Sequence, residues 1–230
     1  GPGHFGQIIL EKGVEKMSLH YEADLAQGGR SVLGILPIVW KDGWPVAGEK
    51  FKEGNYQIES VRRGYALELA VDLTRMAGGL RGFGGQANSQ PIKPIPIQEL
   101  ADVIKNWPDG NINVRIGDFM SRPHQKWSIT AAPDSSGYLG GPYYKIVLAG
   151  TDRALAATAN AEVMTIPSFT GGDEQLWRID QLTDGTYRIM PKNIPGSGKK
   201  LALVSSGDST PTLAEFDFES DNSKWNLKAN

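Results

Sequence analysis

The chain has 230 residues, of which 22% are charged, with a formal net charge of −2 and no cysteine. No basic run or stripe marks it for nucleic acid, no apolar run approaches the roughly 18–20 residues that span a bilayer, and disulfide or thiolate chemistry is closed to it. Glycine (28) and proline (14) are abundant, which favours a turn-rich β protein over a helical one.

In chain order, the first 53 residues read as three strands: GQIILEKG, EKMSLHYEAD and RSVLGILPIVWKDG, the last with a tail WPVAGEKF. Turns at Gly13 and Gly28-Gly29 make them an antiparallel meander. Apolar residues on both faces of so small a sheet cannot bury themselves. The segment is therefore expected to pack on the rest of the chain or on further sequence. The chain opens without an initiator methionine, and a Gly-Pro pair can be a protease scar, so it is expected to be a piece of something longer. Trp40 and Trp44 flank Asp42-Gly43. A hairpin turn accounts for that pattern better than a sugar-stacking surface. Glu22, Asp24 and Asp42 fall where solvated strand and turn faces explain them.

Residues 54–230 divide into three copies of one pattern. Each opens on a Gly-aromatic-apolar strand: GNYQI (54–58), GPYYKI (141–146) and DGTYRI (184–189). A second strand follows in GYALELAV, DRALAAT and KKLALV, and a third in INVRIGDF, EVMTIPSF and PTLAEFDF. Each copy closes on a tryptophan strand, in PHQKWSI, EQLWRI and NSKWNL, with Trp127, Trp177 and Trp225 recurring at intervals of 50 and 48. A period in this range marks one supersecondary unit used repeatedly. Three groups of four short strands predict an all-β array closed on itself. The first copy carries an insertion of about 35 residues, roughly 73–108. Its middle reads as loop, and PIQELADVIKNWP as a short helix stopped by Pro108.

The three-copy segment, 54–230, resembles the ricin-type β-trefoil family on its Tyr-x-Ile, second-strand Leu and Gln-x-Trp sets. The resemblance implies that the tryptophans fill a pseudo-threefold core and that the glutamine locks a loop. It also implies sugar binding in shallow pockets, one per copy, built from an acid near the second strand and an aromatic platform. Here the acid survives only in the first copy, as Glu68 and Asp72. The second copy has Ala156 with Asn160. The third has Ala202 with Asp208, and Ser223 replaces its glutamine. The expected pocket is thus the first, with Asp72 as hydroxyl acceptor and Trp107 or Phe119 as platform. The competing reading makes Asp72 a turn cap and the trefoil a buttress that binds no sugar.

Residues 1–53 resemble the end of a glycoside hydrolase family 43 catalytic domain of arabinanase type. GPGHFG, MSLHYEAD and LGILPIVWKDGWPVAGE carry the likeness to the last blade of a five-bladed propeller. The resemblance implies a metal ion, usually calcium, on the propeller axis, held through His4. It implies inverting hydrolysis of α-L-arabinofuranosidic bonds by three carboxylic residues on earlier blades, so no catalytic residue is assigned in this chain. The expected partners are a plant cell-wall polysaccharide (arabinan, or alternatively xylan or arabinoxylan) and an upstream propeller portion of the same protein. The expected location is secreted, periplasmic or at the cell surface. Other chemistries find no support: GGLRGFGG is followed by a polar loop, so it makes no phosphate cradle. His4, His20 and His124 lack zinc spacing, and no Gly-x-Ser-x-Gly elbow occurs.

Overall fold

The computed structural model describes residues 5–11, 14–23, 30–47, 51–62, 64–71, 110–136, 142–182, 184–206 and 211–229. The insertion at about 73–108, with the helix expected near 96–108, lies outside them. The first segment is a four-stranded antiparallel sheet in the order β1 (Ile8–Glu11), β2 (Val14–Ala23), β3 (Arg30–Lys41) and β4 (Trp44–Ala47). The expected tail of the third strand is thus a strand of its own. Asp42 and Gly43 both take positive φ, 52° and 79°, between the paired Lys41 and Trp44. Two left-handed residues make the tight turn whose twist matches its flanking strands. Trp40 donates from Nε1 to Glu15 Oε2 at 2.8 Å. Met17 and Ile38 are buried, whereas Phe5, Ile8, Ile9, Leu10, Leu33 and Trp44 are exposed.

The second segment holds three four-strand copies. The first comprises β5 (Gly54–Ser60), β6 (Tyr65–Leu69), β7 (Ile112–Asp118) and β8 (Lys126–Ser136); the second β9 (Pro142–Leu148), β10 (Ala154–Ala157), β11 (Val163–Ile166) and β12 (Trp177–Gln181). The third comprises β13 (Tyr187–Pro191), β14 (Ala202–Val204), β15 (Thr212–Ala214) and β16 (Trp225–Ala229). The first and fourth strands of every copy form a ring that closes: β5 pairs β8, β8 pairs β9, β9 pairs β12, β12 pairs β13, β13 pairs β16, and β16 returns to β5. The second and third strands form three hairpins, β6–β7, β10–β11 and β14–β15. This is a β-trefoil. Ring closure leaves the barrel strands without a free edge.

Register repeats with the copies. Tyr56, Tyr144 and Tyr187 each face the tryptophan of their own copy, Trp127, Trp177 and Trp225. Each tryptophan in turn faces the next copy: Trp127 meets Leu148, Trp177 meets Pro191, and Trp225 meets Ser60. Ile58, Ile146 and Ile189 fill the next layer, and all three indoles are fully buried. A buried aromatic ring removes about 150–250 Å² from water, worth on the order of 4 kcal/mol per ring.

One core contact has no counterpart in the repeat. Phe51, three residues ahead of β5, sets its ring 5.1 Å from Tyr56, 5.2 Å from Tyr144 and 6.1 Å from Tyr187. The contacts to Tyr144 and Tyr187 are edge-to-face, at 83° and 84°, a geometry favoured by ring quadrupoles. A single phenylalanine thus touches the equivalent tyrosine of every copy and sits where the pseudo-threefold axis must pass. Phe51→Ala is expected to cost about 2–3 kcal/mol, read as a lower urea midpoint at unchanged m-value. Phe51→Leu, which keeps most of the apolar volume, is expected to lose less. Equal midpoints for wild type and Phe51→Ala would refute a core role for this ring.

Candidate functional site

Each tryptophan strand is preceded by one turn of 3₁₀ helix, at Pro123–Gln125, Asp173–Gln175 and Asp221–Ser223. That turn swings the residue two before each tryptophan inward. Gln125 Oε1 accepts from Met120 N at 2.9 Å, Gln175 Oε1 from Thr170 N at 2.7 Å, and Ser223 Oγ from Asp217 N at 3.4 Å. The serine of the third copy therefore keeps the acceptor of the lock with a shorter reach. The tryptophans repeat more strictly: Trp127, Trp177 and Trp225 donate from Nε1 to Leu67 O, Leu155 O and Leu203 O, each at 2.9 Å. These bonds pin every hairpin to the barrel.

The leucine carbonyls align the copies residue by residue. The position after leucine is Glu68 in the first, Ala156 in the second and Val204 in the third, so Val204 and not Ala202 stands opposite Glu68. Glu68 is 2% exposed. Its Oε1 receives Arg115 Nε at 2.6 Å, and its Oε2 receives Gln125 Nε2 at 2.8 Å and lies 3.0 Å from His124 Nε2. Gly117 on the facing strand leaves room for this carboxylate, since a Cβ there would collide with it. Burial pushes the Glu68 carboxyl up, but the bonds from His124, Arg115 and Gln125 outweigh it and hold the pKa below its ordinary value. Glu68 therefore lies inside the domain with both oxygens engaged, and acts by holding Arg115. The Arg115 side chain is 46% exposed and donates from Nη2 to Val71 O at 3.4 Å. His124 is buried too, and its Nδ1 has no hydrogen-bond partner among the described residues.

Of the other expected site residues, Asp72, Trp107 and His4 lie outside the described residues. Among the described residues no group of three His, Cys, Asp or Glu is arranged to hold a metal ion. Phe119 is half-buried, and Lys228 Nζ lies 4.8 Å from its ring centre. The equivalent phenylalanines, each just before the residue whose N–H the lock captures, are Phe169 and Phe216. Lys145 Nζ sits 5.5 Å from Phe169 and Arg188 Cζ 4.9 Å from Phe216. All three rings thus carry a cation.

These cations belong to seams between copies, where outward residues pair in identical register. Ser128 and Thr130 face Val147 and Lys145 at the first seam, and Arg178 and Asp180 face Met190 and Arg188 at the second. Asn226 and Lys228 face Glu59 and Gln57 at the third. At the second seam Asp180 is enclosed by Arg178 and Arg188, each within 2.8 Å. Burial pushes the Asp180 carboxyl up, and the two guanidinium groups hold it below its usual range regardless. The third seam opens instead into a cleft of about 710 Å³, walled by Glu59, Tyr187, Asn226 and Lys228.

Sequence reasoning missed Phe51, Arg115, His124 and the seam set. His124 adjoins the glutamine of the motif, and the phenylalanines recur at matching places before it; those were readable signals. Nothing local marks Arg115, whose partners are distant in sequence, or Phe51, two of whose three tyrosines are.

The acid side of the stability curve follows from Glu68 and Asp180. A carboxyl whose folded pKa is depressed contributes its full stabilisation above the unfolded value and loses it as pH falls through the folded one. Thermal stability is therefore expected to decline as pH drops below the ordinary glutamate value of 4.5 and aspartate value of 3.8. Glu68→Gln is expected to cost about 1–3 kcal/mol at neutral pH and to flatten that decline. An unchanged acid slope would contradict the assignment.

Residues 123–215 match the family model described as "Ricin-type beta-trefoil lectin domain-like". No curated relative matches the chain in sequence. Among solved structures, a mosquitocidal holotoxin is similar at 15% identity and a TM-score of 0.52, over 81% of this chain and 18% of the toxin. The β-trefoil lectin of the Vibrio vulnificus hemolysin/cytolysin aligns at 11% identity and a TM-score of 0.47, over 78% of this chain and 97% of its own. An exo-β-1,3-galactanase from Clostridium thermocellum aligns at 15% identity and a TM-score of 0.47, over 100% of this chain and 46% of its own. No helix among the described residues is long and apolar enough to cross a membrane. The chain carries a β-trefoil domain, and residues 123–215 of it are similar to the ricin-type, lectin-like family.

Proposed function

We propose that the trefoil is a carbohydrate-binding module, and that the chain is the C-terminal portion of a secreted or cell-surface glycoside hydrolase of family 43. The observation that carries the binding reading is the lectin-like sequence match lying inside a closed trefoil. In this reading the first copy is the live one. Asp72 follows Val71, whose carbonyl is held by the half-exposed Arg115, and accepts sugar hydroxyls there. Arg115, kept in place by Glu68, donates alongside it, and Trp107 or Phe119 offers a ring for stacking. The other two copies have Ala156 and Val204 where Glu68 stands, so neither holds an arginine in the same way.

The hydrolase reading draws on the first segment. Propeller blades are four-stranded antiparallel sheets, and the four-stranded antiparallel order of β1–β4 supports this reading. Ile8, Ile9, Leu10 and Leu33 on it, and Phe5 just before it, are exposed, a surface that flanking blades would cover. The intact enzyme would cleave arabinan, or alternatively xylan or arabinoxylan, with inversion, using carboxylic residues on earlier blades. Calcium on the propeller axis, with His4 as its protein ligand, would serve that part of the molecule. The trefoil's contribution is tethering, which raises the local concentration of substrate.

A second reading, a buttress without sugar binding, is favoured by the cation over each of the three seam phenylalanines. Calorimetric titration of the chain with arabino-oligosaccharides separates the two. Saturable binding that Asp72→Ala weakens is expected; no heat at millimolar ligand would leave the buttress. The chain by itself is expected to release no arabinose from arabinan, and turnover would overturn the assignment of catalysis to other blades.

A further inference from the structure

We propose that the cleft at the third seam, on the barrel wall between β13, β16 and β5, is a separate binding site for a neutral saccharide. It stands apart from the first-copy hairpin, none of whose residues lines it. Its walls are Glu59, Ser60 and Val61 from the end of β5, Gly185 and Tyr187 at the entry to β13, and Asn226 to Lys228 of β16. A volume of about 710 Å³ falls within the usual range for small-molecule sites, roughly 300–1,000 Å³.

The lining chemistry selects the ligand. Lys228 Nζ lies 2.6 Å from Glu59 Oε2, so the cleft carries one charge of each sign and no net charge. An anionic ligand gains from the lysine what it loses to the glutamate, and a cation fares no better. A hydroxyl group both donates and accepts: it can give its proton to Glu59 and a lone pair to Lys228. Asn226 sits directly across from Glu59 in the strand register, and among the described residues its side-chain amide has no partner. It adds a donor and an acceptor at one point. Val61, partly exposed at the end of β5, supplies apolar surface for the C–H face of a sugar ring. A peptide strand is disfavoured because β13, β16 and β5 are each paired on both sides, leaving no edge to extend.

The pseudo-symmetry supplies an internal comparison. The same register positions at the first seam are Ser128, Val147, Thr130 and Lys145, without an acid. At the second they are Arg178, Met190, Asp180 and Arg188, where two arginines hold the acid, against the single lysine on Glu59. Among the described residues at these register positions, only the third seam combines a carboxylate, an ammonium and an amide without a partner.

The test is a titration of the ¹⁵N-labelled chain with arabinotriose, galactobiose and xylobiose in parallel, with digalacturonate as the charged comparison. At least one neutral sugar is expected to move the Gly185 backbone and Asn226 side-chain signals saturably at millimolar concentration. Glu59→Ala combined with Asn226→Ala is expected to weaken that binding about tenfold or more, with the melting temperature recording that the variant is folded. The proposal is overturned if no neutral sugar moves those signals, if the double variant binds as well as wild type, or if digalacturonate binds equally tightly. Shifts confined to Val71 and Arg115 would likewise overturn it while supporting the hairpin site, so the two readings fail separately.

Discussion

Three indole N–H groups, each donating to the carbonyl of a leucine on the second strand of its own copy, fix the geometry on which everything else here depends. An indole buried without an acceptor would forfeit much of what its ring gains. The leucine carbonyl is therefore as much a part of the motif as the tryptophan. Because Trp127, Trp177 and Trp225 satisfy it at the same distance, hairpin and barrel keep one relation in all three copies. The lock beside it tolerates change, since Ser223 captures its loop where Gln125 and Gln175 capture theirs.

A frame fixed from inside leaves the outward positions free to diverge. The three seams share a register yet differ in kind: hydroxyls and a lysine at the first, an arginine-enclosed aspartate at the second, a mixed-charge cleft at the third. The hairpins diverge likewise, with a buried Glu68 cluster in one and alanine or valine at the matching places. Threefold repetition of the core with unlike surfaces suits a domain in which stability and recognition are handled by different residues. Surface acids can then be exchanged without disturbing the indole bonds.

Much of this was legible in the sequence because the repeat is periodic in its buried residues. The twelve strands of the trefoil follow from alternation and from the recurring tryptophan, and the second and third strands of each copy fall where the pattern put them. What did not show was what the pattern does not encode. Phe51 stands outside the repeat, and its three tyrosine partners come together only when the ring closes. Glu68 reads as a sugar acid by its place in the second strand, yet the buried His124 and Gln125, 56 and 57 positions later, hold it inside. The fourth strand of the first segment, Trp44–Ala47, looked like a tail because it is short and opens on Trp-Pro. The facing residues of the third-seam cleft come from opposite ends of the trefoil, so no local window contains both.

Hydrogen exchange of the tryptophan indoles, resolved by NMR, tests the central claim most directly. The account predicts that Trp127, Trp177 and Trp225 exchange only through global unfolding, with a common free energy equal to that of denaturation, while Trp40 and Trp44 exchange quickly. Fast or unequal exchange among those three indoles would contradict it.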